Sequence, residues 1–126
     1  MISAKIMGSA AAIVLMSSAA VAQTSGEIGY TQGTLGYDAL VSGNNELALQ
    51  QLETFEKAHA KDPARLINLG QTYARLGRTG EAARLFTAAM QGNRHFDVVL
   101  ASGEVINSRE AAELALRSLN NRMASR

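Results

Sequence analysis

The clearest pattern along the chain is a run of apolar positions at helical spacing that follows Asp62-Pro63. Leu66, Leu69, Gly70 and Tyr73 fall at i, i+3, i+4 and i+7, one face of a helix. Pro63 suits the first turn of that helix, where a missing N–H costs nothing. Gly77 ends it, and Arg78-Thr79-Gly80 turns the chain. Thr79 is the candidate N-cap of a second helix whose inner face carries Ala82, Leu85, Phe86, Ala89 and Met90. Upstream, Gly43-Asn44-Asn45 separates a helix around 34–42 from one over 46–60, with Ala48, Leu52 and Phe55 facing inward. Downstream the spacing changes. Phe96, Val98 and Leu100 alternate with other positions, and Ser102-Gly103 supplies turn chemistry before Val105-Ile106. That stretch, 96–106, predicts a small β-hairpin or else a decayed repeat helix over 98–104, and its β-branched residues favour the hairpin. Asn107 or Ser108 then caps a last helix, with Glu110 at capping-box spacing from Asn107 and a stripe of Ala112, Ala115, Leu116, Leu119 and Met123.

The two helix pairs are related. With the chain shifted by 34 residues, Gly36 meets Gly70, Gly43 meets Gly77, Ala48 meets Ala82, Leu52 meets Phe86 and Phe55 meets Ala89. A period of that length belongs to helix–turn–helix units that stack on one another. Leu69-Gly70, Tyr73, Gly77, Ala82, Phe86 and Ala89 resemble the tetratricopeptide repeat in their order of large and small positions, with Leu66 where Trp is commonest. Gly70 and Ala82 let two antiparallel helices approach closely, and Tyr73 and Phe86 fill the space beside them. In the upstream copy, Ala39 and Leu52 stand where large aromatics are common, and the Pro that usually ends a repeat is missing after Met90.

The expected fold is therefore mainly all-α: a short solenoid of two helix pairs (34–62 and 63–92), followed over 93–126 by a hairpin or decayed repeat and a capping helix. Arrays of this kind usually need three units to bury a continuous core. Either the cap completes this one, or a second copy or another protein does.

The first 22 residues read as a cleaved signal peptide. Lys5 gives a positive start, 6–20 is apolar or small, and Ala20-Val21-Ala22 ends in the small-x-small pattern of a cleavage site. The stretch is short for a membrane span, which takes roughly 20 apolar residues. Cleavage after Ala22 sends the chain to the periplasm or outside the cell, with no stable membrane span left. Residues 23–33, rich in Gly, read as a flexible leader.

Removing Lys5 with the signal leaves 11 basic and 11 acidic residues, so the mature chain is neutral and lacks the basic excess of a nucleic-acid binder. The charge is segregated, with a net of −4 over 23–62 and +4 over 63–126. Such a molecule suits head-to-tail contacts or a bipolar partner. There is no cysteine, hence no disulfide and no thiolate metal site.

Candidate chemistry is sparse. His59 continues the face of Ala48, Leu52 and Phe55 and reads as a helix-end residue. His95 and Asp97 supply two donors, too few for a closed metal site. No nucleophile elbow, phosphate loop or zinc-helix motif is present, and neither a cofactor nor a metal is expected. The expectation is a non-enzymatic protein–protein interaction module of the periplasm or envelope. The alternative is a homo-oligomerising structural protein or a subunit of a larger envelope complex. In the tetratricopeptide family the first helix of each pair lines a concave groove that holds a peptide or a partner's helix. The resemblance implies a protein-binding groove formed here by Tyr37 and Val41 from the first pair and Ile67, Gln71 and Arg75 from the second, with Asn68 beside them.

Overall fold

The computed structural model describes residues 30–125 and the backbone of one further strand, β1 (Val14–Met16). The elements that follow are α1 (Tyr37–Val41), α2 (Asn45–Thr54), α3 (Glu56–His59), α4 (Pro63–Arg75), α5 (Thr79–Gln91), β2 (Asp97–Leu100), β3 (Val105–Asn107) and α6 (Ser108–Ala124). The chain is mostly helical, with an antiparallel β2–β3 hairpin whose outer edge also carries β1.

The α4–α5 pair is set by its small residues. A methyl group placed on Gly70 would stand 2.5 Å from the Phe86 ring, inside van der Waals contact. Only glycine lets α5 come this near. The same contact recurs one period earlier, where a methyl on Gly36 would stand 3.2 Å from Leu52. The first helices of both pairs also end alike. In each, a glycine at positive φ (Gly43 at 82°, Gly77 at 83°) follows the last turn. The two reciprocal backbone bonds of a Schellman motif close it: Asn44 N–H to Ala39 O and Gly43 N–H to Leu40 O in one, Arg78 N–H to Tyr73 O and Gly77 N–H to Ala74 O in the other.

The first pair is shorter and more broken than its sequence predicts. Its first helix runs only over Tyr37–Val41, because Gly33 (φ 92°) and Gly36 (φ 59°) adopt left-handed conformations that turn the chain just before it. Its second helix, expected unbroken over 46–60, stops at Phe55 and restarts as α3. The Leu52 carbonyl, which an unbroken helix would bond to Glu56, instead accepts from the Arg65 guanidinium, Nε at 2.9 Å and Nη2 at 2.6 Å. Phe55, expected on the inner face, is half-exposed at the break.

The hairpin reading holds over 97–107. Leu100 N–H bonds Glu104 O, and Gly103 at φ 92° makes the turn, its N–H reaching Leu100 O. Asn107 caps α6 through Arg109 N–H at 2.9 Å. The cap of α5 differs from the expectation: Thr79 is already helical, and Arg78 occupies the N-cap position without a side-chain cap bond. Its guanidinium instead lies over the Tyr73 ring and pairs with Glu81, so the turn tightens by one residue.

Two apolar clusters meet at α4. On one side Ala39, Leu40, Ala48 and Leu52 of the first pair pack with Leu69 and Leu85. On the other, Ala64, Ile67, Phe86 and Ala89 pack with Leu35, the hairpin residues Val98, Leu100 and Ile106, and Ala112, Ala115 and Leu119 of α6. The capping helix thus closes the core that two repeats leave open. No helix among the described residues is long and apolar enough to cross a membrane.

Candidate functional site

Because α4 is sandwiched between both clusters, it is buried on nearly all sides, and its polar side chains are used internally. Each captures a group of the segment packed against it. Asp62, 2% exposed, caps α4 through Ala64 N–H and Arg65 N–H, while its other oxygen accepts from the Tyr30 hydroxyl at 2.6 Å. Arg65, equally buried, holds the end of α2 as described above. Asn68 donates to Leu35 O at 3.0 Å. Arg75 donates to Leu40 O at 2.7 Å and lies 3.5 Å from Asn45 Oδ1. A guanidinium has donors to spare and needs no precise approach angle from the carbonyl it serves, so two of these four polar clamps are arginines. Burial lowers the pKa of both Arg65 and Arg75; nearby acids oppose this at Arg65, led by Glu56, and Arg122 adds to it at Arg75.

This arrangement corrects the groove inferred from the sequence. Ile67, Asn68 and Gln71 are buried and form no open surface in this structure. The turn at 31–36 and the sheet lie over that face of α4, with Thr34 and Leu35 fully buried beneath. The part of the leader within the described residues, 30–33, is likewise tied down: Tyr30 bonds Asp62 and meets His59 edge-on, ring centres 5.7 Å apart. Arg75 is half-buried and spent on α1. Of the six residues, Tyr37 and Val41 remain at the surface, Tyr37 half-buried and Val41 57% exposed. Leu47, across the α1–α2 turn, is a further exposed apolar residue that the sequence pattern did not single out. Its signal was weak: one leucine off the Ala48–Leu52 face.

The remaining recesses are shallow in chemistry. A cleft of about 210 Å³ between α2 and the α4–α5 pair sets Glu53 and Glu56 against Arg65 and Arg84, with Tyr73 on its wall. Opposite charges balance there, and the cleft holds no nucleophile with an adjacent base. A second recess of about 350 Å³ at the ends of α3 and α5 has Leu66 as its floor and Lys61 and Arg94 on its rim. His95 is not paired with Asp97. Its Nε2 accepts from the Arg109 guanidinium at 2.8 Å, so its proton sits on Nδ1, which is buried without a partner among the described residues. Among the described residues no group of three or more His, Asp and Glu side chains is placed to hold a metal ion.

No family model, curated protein or solved structure matches this chain.

Proposed function

We propose that the chain is a non-enzymatic protein-binding module of the tetratricopeptide-repeat kind, exported to the periplasm or envelope of a bacterium. The observation that carries this reading is the recurrence, 34 residues apart, of one glycine-against-apolar contact and one Schellman helix end. Rigid helix pairs of this kind present side chains on a preformed surface, which lowers the ordering cost of binding a partner. Tyr37 and Val41 on α1, with Leu47 beside the turn, are the surface we assign to that role. Tyrosine and exposed aliphatic side chains are the types that anchor protein interfaces.

The test is cross-linking in the intact envelope. A photoreactive residue at position 41 should trap one defined protein, and the same residue at Glu113, on the exposed face of α6, should not. Equal labelling from both positions, or none from position 41, would reject the assignment.

A further inference from the structure

The outer edge of the hairpin carries information about what a partner looks like. The parity of β2 is fixed at both ends. Leu100 N–H bonds Glu104 O, and Ser108 N–H bonds Phe96 O. Backbone groups alternate sides along a strand, so those of Phe96, Val98 and Leu100 face β3, and those of Asp97, Val99 and Ala101 face away. On that far side stands β1, antiparallel, with Val14 opposite Leu100, Leu15 opposite Val99 and Met16 opposite Val98. The edge is therefore built to take an extended strand in one register. Positions opposite Val98 and Leu100, both buried, fall on the core side of the pleat; the position opposite Val99 falls on the other.

The occupant comes from the apolar centre of the segment that the sequence marks for removal after Ala22. Once that segment is gone, the N–H and C=O of Val99 have lost the strand that stood opposite them. An unpaired edge of this kind is a template for any strand that can reach it. We infer that in the exported chain the β2 edge is a second docking site, which accepts an extended, uncharged segment of a partner protein carrying apolar residues at alternate positions. The leader strand holds that place until it is cleaved. The inference rests on the protein-binding reading and on removal of residues 1–22, and it names the kind of segment that such a partner supplies.

The experiment uses the protein recovered from the periplasm of a cell expressing the full chain. Its mass reports whether the leader is gone; an intact leader overturns the inference, since the edge would then stay occupied. The probe is a synthetic peptide of residues 11–19, Ala-Ala-Ile-Val-Leu-Met-Ser-Ser-Ala. The expected result is saturable binding, with exchange of the Val99 amide slowed at least tenfold. The peptide carrying Val14→Ser and Met16→Ser should bind at least tenfold more weakly. Val99→Pro removes only an outward N–H, so it should abolish binding and leave the β2–β3 bonds intact; if that variant fails to fold, the two peptides decide. Absence of saturable binding, equal binding of the serine peptide, or a Val99 amide already protected without peptide overturns the inference. The last result would point to residues 23–29 or a second copy at the edge. Cross-linking through position 41 is independent of all these arms, so failure at the edge is distinguishable from failure of the protein-binding reading.

Discussion

Gly70 has no room for even one methyl group, and this makes it the most informative single position in the chain. The ring it touches, Phe86, is fully buried and cannot swing aside. Gly70→Val is expected to cost about 1–3 kcal/mol through overpacking, read as a lower urea midpoint at unchanged slope; an unchanged midpoint would contradict the close helix contact. The tyrosines give a second prediction. Burial is the first cause raising the hydroxyls of Tyr30, Tyr37 and Tyr73, reinforced at Tyr30 by its bond to Asp62 and at Tyr73 by Glu53. The folded chain thus holds protons that the unfolded chain gives up near pH 10. Their stabilising effect is complete below that pH and declines above it, as unfolding becomes coupled to proton release. Phenolate absorbance should therefore lag the free-tyrosine curve and rise together with loss of helix. Tyr30→Phe should cost about 1.5 kcal/mol at neutral pH and make the alkaline decline shallower. At this scale the sequence was legible where size decides and opaque where partners do. Gly70 and Phe86 announce themselves by spacing. Arg65, Asn68 and Arg75 do not, because the carbonyls they capture become free only when α2 breaks, 31–36 turns and α1 ends.

At the scale of elements, repeat spacing foretold where helices end better than where they begin. Gly43 and Gly77 terminate α1 and α4 by the same pair of backbone bonds, and neither has an atom within 4 Å of where a methyl would go. Replacing either by Ala should therefore cost only the left-handed backbone penalty, about 1–2 kcal/mol each. The double variant should show the sum, since the sites share no partner; a large difference between the two single variants would show that the helix ends are not equivalent. The hairpin was legible through β-branched residues around Ser102-Gly103, and the last helix through Asn107. The short α1 was not, since Gly33 and Gly36 read equally well as part of a flexible leader. Nor was the break at Phe55, where no Pro or Gly interrupts the helical pattern and the lost bond is replaced by Arg65 from α4.

For the whole molecule, the central fact is that α4 is enclosed. Two repeats cannot bury a continuous core on their own, and here the turn at 31–36, the hairpin and α6 enclose the helix that the resemblance would leave lining a groove. The polar face of α4 read from sequence as a recognition surface for this reason: exposed polar residues and internally bonded ones have the same spacing. It also changes which variant tests binding. Arg75→Glu would release α1 along with any partner, whereas Val41 makes no side-chain hydrogen bond and stands clear of both clusters. The most direct measurement is thus the affinity of the protein trapped through position 41 for the mature chain and for its Val41→Asp variant. The account predicts at least tenfold weaker binding, about 1.4 kcal/mol, with an unchanged unfolding midpoint. Equal affinity of the two chains would contradict it.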